Sequence, residues 1–292
     1  DKLAQMIQFF MGVLSTLAIF RLTQERISIL AGIFTAVFYY LNPKIIMLSS
    51  IAKCDVIYFG YIFLSLHLLL LANEKNELKY FYLSGLFTGF TLATKYHGLL
   101  WALSIGSILI VYIIRKDDLK FILKMKRVFL YAFISFLVVL PYFIRNFAFT
   151  GDPIWPYGWS LFSSNYWSQY LHDKYSSWNQ GAGNSVWNYI LIIWNVTLNQ
   201  EYWADGYRIP NLPIQLALLP GFYLLKNIEN KQKVLYFCIF LVTFIYSLLW
   251  FSTYQQLRYF LPIMSFILVP CSHIFSKIIK LKYLKICGFF LV

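Results

Sequence analysis

Charge is scarce in this chain of 292 residues: only 13% are Asp, Glu, Lys or Arg, while 60% are hydrophobic. Soluble domains carry nearer ~25% charged residues, and a mean hydropathy of +0.62 is hard to reconcile with one. Acidic residues are scarcer still, 12 against 25 Lys and Arg, for a net charge of +13. Cysteine is sparse: Cys54, Cys238, Cys271 and Cys287 are far apart and lack metal-ligand spacing, so they read as free thiols packing as small apolar groups. Also missing are a periodic repeat, a low-complexity tract and a cleavable leader, and the chain begins with Asp1 rather than Met. Gly181-Ala182-Gly183 is a loop signal and no nucleotide fingerprint, and the sequon Asn195-Val196-Thr197 sits inside an apolar run.

What is present is a series of apolar blocks close to the length that a ~30 Å hydrocarbon layer demands. The expected spans are Leu3–Phe20, Ile27–Leu41, Val56–Ala72, Tyr80–Thr94, Gly98–Ile114, Val128–Ile144, Leu212–Leu225, Val234–Phe251 and Tyr259–Ser276. Each is expected to be helical, because backbone groups in lipid must be satisfied within the segment. A tenth block, Tyr283–Val292, would rise only ~15 Å and reads as a helix cut short. The fold class is therefore an all-α polytopic transmembrane bundle, about nine spans plus a truncated one, forming a single unit over residues 1–292.

Most of the basic residues fall in Arg21–Arg26, Lys75–Lys79, Arg115–Arg127, Lys226–Lys233 and Lys277–Lys285, at alternate ends of the blocks. That is the pattern of cytoplasmic loops under the positive-inside rule. Orientation thus accounts for the basic charge, and a nucleic-acid partner is not expected. Asp1, Asn42–Asp55, Lys95–His97, Arg145–Asn211 and Ser252–Arg258 then lie outside. The block Val186–Leu198 is too short for an ordinary span and reads as interfacial or re-entrant.

The outer segment Arg145–Asn211 is the longest connection and holds seven of the nine Trp: Trp155, Trp159, Trp167, Trp178, Trp187, Trp194 and Trp203. Long connections in compact folds are usually functional or disordered, and so aromatic a segment argues against disorder. Two readings stand: an interfacial aromatic belt, or a cap whose rings pack on sugar faces or lipid headgroups.

Ionisable groups at the outer helix ends are the candidates for chemistry, since a charge within the membrane costs ~2.5–3.5 kcal/mol on insertion scales. The block Tyr80–Thr94 rises only ~22 Å, so Thr94-Lys95-Tyr96-His97 should sit recessed. Lys95 there either snorkels to the headgroups or meets an anion. Asp55 opens its helix, where the macrodipole favours an acid. Arg145 follows Pro141, which interrupts its helix, and Arg258 precedes Pro262. Interfacial anchoring explains either arginine alone. Together with Lys95 they would make a phosphate site, arginine's planar fork suiting phosphate oxygens. Asp55 could then bind an acceptor, a metal or one of the cations. Of the histidines, His97 beside Lys95 is a candidate; His67 and His273 read as packed residues, and His172-Asp173 as a surface pair.

The stretches Gly89–Gly98 (GFTLATKYHG), Pro141–Tyr157 (PYFIRNFAFTGDPIWPY) and Arg258–Pro262 (RYFLP), with Ile51–Leu64 around Asp55, resemble in order and side the GT-C membrane glycosyltransferases. The nearest branch is family 39, the dolichyl-phosphate-mannose–protein mannosyltransferase-like group with its bacterial aminoarabinose-transferase relatives. The resemblance implies inverting transfer of a sugar from a polyprenyl-phosphate carrier to an acceptor outside the membrane. Lys95, His97, Arg145 and Arg258 take the substrate-binding positions and Asp55 the second acidic position. The main base is expected in an outer loop preceding Asp1, together with the family's first helix, so activity of the chain by itself is not expected.

A divalent metal is neither required nor excluded. A bacterial plasma membrane, and so a place in the cell envelope, suits the Lys- and Ile-rich composition. The alternatives from other classes are a transporter or flippase of a lipid-linked saccharide, and a glycan polymerase or ligase. Neither the sugar nor the nature of the acceptor (protein, lipid or polysaccharide) can be read from these residues.

Overall fold

A computed structural model describes residues 2–115, 119–162, 166–177, 181, 183, 185–198, 225, 228–253 and 255–290, with side chains omitted for 175–177 and 281–290. The described residues form helices and no strand. In chain order these are α1 (Lys2–Gln24), α2 (Ile29–Tyr40), α3 (Pro43–Ser50), α4 (Asp55–Lys75), α5 (Leu78–Thr94), α6 (Gly98–Ile114) and α7 (Phe121–Thr150). Four short helices follow: α8 (Trp159–Phe162), α9 (Gln169–Ser177), α10 (Val186–Ile190) and α11 (Ile192–Leu198). Two long ones close the chain, α12 (Asn230–Phe251) and α13 (Leu257–Phe290).

Among the described residues, five helices are long and apolar enough to cross a membrane: α1, α4, α7, α12 and α13. The bent pair α2 and α3 makes a sixth if it counts as one span. Both α5 and α6 have 17 residues, a rise of ~26 Å that just approaches the hydrocarbon thickness. This is an all-α, multi-pass membrane bundle. The expected span Leu212–Leu225 lies outside the described residues, apart from Leu225.

The bundle is built around α4, which packs on α1 and α5, and around the first part of α13, which lies against α2, α4 and α12. Aromatic and hydroxyl groups join them. Trp101 of α6 stacks on Phe266 of α13 with centroids 5.7 Å apart, while its indole N–H donates to Ser65 Oγ of α4 at 2.8 Å. Lipid supplies no hydrophobic drive between helices, so close backbone approach and interhelical hydrogen bonds do that work. At the α5–α7 crossing a Cβ on Gly89 would stand 2.7 Å from Val138 Cβ and 2.8 Å from the Ser135 carbonyl. Beside it Ser135 Oγ donates to the Gly85 carbonyl at 2.7 Å, and the Thr88 and Tyr131 hydroxyls meet at 2.6 Å.

Four boundaries differ from the sequence expectation, each for a local reason. After Tyr40 the chain turns by 65° into α3. Asn42 caps α3, its Oδ1 accepting from Lys44 N at 3.0 Å, and Pro43 occupies the first turn, a strong start signal. The expected loop Asn42–Asp55 is thus mostly a buried helix on α1, with Lys44 only 2% exposed.

Pro141 does not interrupt α7, which runs on to a left-handed cap at Gly151 (φ +72°), whose N–H reaches the Phe147 carbonyl at 2.8 Å. Proline is tolerated inside membrane helices because neighbouring groups satisfy the freed carbonyl. The expected break before Tyr283 is absent as well, because Lys277–Lys285 contains no Gly or Pro and α13 continues through it. Val186–Leu198 is two short helices broken at Leu191. Tyr189 there contacts Ser247 Oγ at 3.2 Å and the Phe251 ring at 5.4 Å.

A candidate polar site at one end of the bundle

Asp55 is the first residue of α4, and Lys95 caps the C-terminus of α5. The two helices run antiparallel through the core, so their ends meet. A three-residue connection, Lys95–His97, leads from α5 into α6, and it closes because residue 98 is glycine. Its N–H donates to the Lys95 carbonyl at 2.8 Å, and a Cβ there would collide with the Thr91 carbonyl. That turn aims the Lys95 ammonium at Asp55, Nζ to Oδ1 2.6 Å, with the carboxylate 2% exposed. The Lys95 side chain is 19% exposed and paired with that acid.

The N-terminal end of α13 supplies the other wall. The Lys95 ammonium lies 3.8 Å from the centroid of the Tyr259 ring, the Arg258 guanidinium 4.9 Å from it, and the His97 ring 3.8 Å from it, centre to centre. An aromatic face holds cations through its quadrupole, so one tyrosine gathers three nitrogen-bearing side chains. Arg258 Nη2 donates to Gln256 Oε1 at 2.6 Å and to the Tyr259 hydroxyl at 2.9 Å.

Beneath them Tyr246 donates to the Tyr259 carbonyl at 2.7 Å and Tyr58 to the His97 carbonyl at 2.9 Å. The two hydroxyls stand 3.3 Å apart, each already using its single proton on a backbone carbonyl. These bonds tie α4, α12, α13 and the 95–97 connection into one frame.

Lys95 and His97 lie between the spans. Burial pushes the Lys95 ammonium below its ordinary range, Asp55 offsetting part of that and Arg258 adding to it. Burial, with Lys95 and then Arg258 nearby, pushes His97 down to about 3, so its imidazole is neutral near pH 7. A neutral ring beside two cations avoids a third positive charge.

Of the residues singled out in the sequence, the structure brings together Asp55, Lys95, His97 and Arg258. Arg145 is exposed on α7, within the helix rather than at its end, and makes no hydrogen bond or ion pair with them among the described residues. Its neighbour Asn146 faces inward, Nδ2 donating to the Tyr96 hydroxyl at 3.3 Å, and Tyr96 in turn bonds the Trp155 carbonyl. Thus the aromatic segment is fastened to the same turn that carries Lys95. Tyr259, Gln256, Tyr58 and Asn146 were not anticipated. Tyr259 and Asn146 stand directly after the two arginines in sequence, which was the available signal.

His172 and Asp173 are separate: Asp173 accepts from Gln169 at 2.7 Å, and His172 lies 6.0 Å from the Trp159 ring. Of the seven loop tryptophans, Trp155 and Trp167 meet edge to face at 5.7 Å, Trp187 and Trp194 are exposed, and Trp178 and Trp203 lie outside the described residues. Among the described residues no cluster of three or more His, Cys, Asp or Glu could hold a metal ion.

The bundle of long apolar helices is the all-α fold that the resemblance to the GT-C group implies. Residues 3–144, which include Asp55, Lys95 and His97, match the family model of the dolichyl-phosphate-mannose-protein mannosyltransferases. The likeness to that superfamily read from the sequence therefore stands. Among solved structures the chain is similar to ArnT from Cupriavidus metallidurans bound to undecaprenyl phosphate. The TM-score is 0.60 at 13% identity, over 98% of this chain and 50% of that one. The likeness is one of fold, and this chain spans about half the length of that protein. No curated protein matches the sequence.

Proposed function

We propose that this chain is part of the transmembrane unit of an inverting glycosyltransferase. It would move a sugar from a polyprenyl-phosphate carrier to an acceptor on the outer face of a bacterial plasma membrane. The observation that carries the reading is the convergence of Lys95 and Arg258 on the Tyr259 ring beside buried Asp55. The solved ArnT, of the same fold, is described as bound to undecaprenyl phosphate.

In the proposed reaction the acceptor oxygen attacks the anomeric carbon while the bond from that carbon to the carrier's phosphate oxygen breaks. The electron pair leaves with the polyprenyl phosphate, and the acceptor's proton passes to a general base. Lys95 and Arg258 stabilise the growing negative charge on the departing phosphate, which is where fixed cations contribute most. Asp55, already held by Lys95, positions that ammonium. Arg145, exposed nearby on α7, would meet the carrier at its headgroup. His97, neutral, donates or accepts a hydrogen bond without adding charge.

The reading is tested in the full-length protein with a labelled polyprenyl-phosphate sugar. A transferase releases free polyprenyl phosphate, whereas a flippase leaves the carrier intact. Arg258→Ala is expected to abolish transfer at normal expression. Near-normal turnover would remove Arg258 from the mechanism.

A further inference from the structure

At the opposite end of the bundle, where α4, α6 and the loops beyond them end and α5, α7 and α12 begin, lies a cavity of about 530 Å³. That is the size of a small-molecule or lipid headgroup site. Its polar side carries three cations, Arg115, Arg127 and Lys233. None of them makes an ion pair among the described residues. Arg115 donates to the Asn73 side-chain carbonyl at 3.2 Å and Arg127 to the Tyr112 hydroxyl at 3.0 Å, both neutral partners that leave other guanidinium donors available. One acid, Glu77, lines the cavity, and it is engaged by Lys79 at 2.6 Å. Asp117 and Asp118, close to Arg115 in sequence, lie outside the described residues.

The remaining wall is apolar, from Leu70, Phe81 and Ile108 in the interior to Val234 and Phe237, which are exposed on the outside of α12. The cavity thus joins a cationic end to an apolar flank that faces the hydrocarbon.

We propose that this cavity binds an anionic phospholipid, the phosphodiester between Arg115, Arg127 and Lys233 and an acyl chain along Val234 and Phe237. A free anion would match the cations but leave the apolar wall unused, and a neutral or zwitterionic lipid would leave the positive charge uncompensated. The site is remote from Asp55 and Lys95, so the proposal does not depend on the glycosyltransferase reading.

Native mass spectrometry of the full chain in detergent tests it. The detergent micelle is titrated with phosphatidylglycerol or with phosphatidylcholine of the same acyl chains. Retention of phosphatidylglycerol is expected to be at least about tenfold tighter. Removing two cations, each worth roughly 1 kcal/mol towards an anionic lipid, in Arg115→Gln/Arg127→Gln should weaken it about thirtyfold. Lys126→Gln, an exposed charge on α7 outside the cavity, should leave it unchanged.

Equal retention of the two lipids by the unaltered chain would overturn the proposal without recourse to any variant. So would an equal loss in Lys126→Gln, which would mean diffuse attraction to a basic surface. Displacement of the lipid by millimolar inorganic phosphate would mark an anion site and refute the lipid assignment.

Discussion

Lys95 Nζ sits 2.6 Å from Asp55 Oδ1, joining the C-terminal cap of α5 to the first turn of α4. Each partner sits at the helix terminus whose dipole favours its charge, the acid at an N-terminus and the ammonium at a C-terminus. Removing one partner of a buried pair leaves the other uncompensated, typically at a cost of about 3–5 kcal/mol, whereas replacing both is far milder. Asp55→Asn or Lys95→Met should therefore lower the thermal midpoint in detergent clearly, and Asp55→Asn/Lys95→Met should recover much of the loss while staying inactive in transfer. Single variants as stable as the parent would show that the pair contributes nothing to folding.

His97 makes stability depend on pH. Its folded value of about 3 lies below the usual ~6.5 of the unfolded chain. Between those values the unfolded state binds more protons, so stability falls as pH drops from about 6.5 towards 3 and is unaffected by His97 above that window. Thermal melts from pH 7.5 to 4.5 should show this slope in the parent and a shallower one in His97→Asn. Parallel profiles would show that His97 does not titrate with unfolding.

Gly98 permits the turn that presents Lys95, because a methyl group there would strike the Thr91 carbonyl. Gly98→Ala is expected to cost about 1–3 kcal/mol, the usual range for overpacking, and to reduce transfer by moving Lys95 away from Asp55. A melting measurement beside an activity assay checks both. An unchanged midpoint would mean the turn can open without penalty.

The Tyr259 ring faces Lys95, His97 and Arg258, whereas its hydroxyl accepts from Arg258. Tyr259→Phe keeps the ring and should bind a polyprenyl phosphate within a few-fold of the parent. Tyr259→Leu removes a cation–π contact worth about 0.5–2 kcal/mol and should weaken binding about tenfold, measured by titration with the carrier lipid. Equal affinities in the two variants would assign the effect to the hydroxyl or to neither.

Arg26 is buried at the other end of the bundle, its Nε 3.1 Å from Glu74 and its Nη2 donating to the His67 carbonyl at 3.2 Å. Nη1 meets His67 Nδ1 at 2.9 Å. A guanidinium has no lone pair to accept with, so Nδ1 must be the acceptor and His67 is neutral. A lysine cannot reproduce these directed bonds, so Arg26→Lys should destabilise almost as much as Arg26→Ala, by several kcal/mol. Rescue by lysine in a thermal melt would reduce the arginine's role to its charge.

His67 and Arg26 show where the sequence was too thin a guide. Arg26 looks like any basic flank of a span, and His67 like a packed ring. Only the crossing of α1 with α4 makes them partners. Pro141 misled in the opposite direction, because its cost depends on whether neighbours satisfy the freed carbonyl, which is a tertiary property. Asn42-Pro43, by contrast, is a local start signal legible in the sequence. At the site, Asp55, Lys95, His97 and Arg258 stood out as ionisable groups at helix ends, where apolar surroundings make a charge expensive. Tyr259 did not, since a tyrosine in so aromatic a chain carries no mark of its own.

What the sequence by itself determined is the helical membrane bundle, because apolar blocks of spanning length leave the backbone no other way to satisfy its hydrogen bonds in lipid. The placing of the rare charges at helix ends follows from the same cost. Which of those charges meet was decided only by the tertiary structure. Lys95 and Asp55 are forty residues apart in the chain and 2.6 Å apart in space, whereas Arg145, exposed on α7, makes no ion pair with Asp55 among the described residues. Helix packing depends on the shapes of many side chains at once, and no short stretch of sequence contains them.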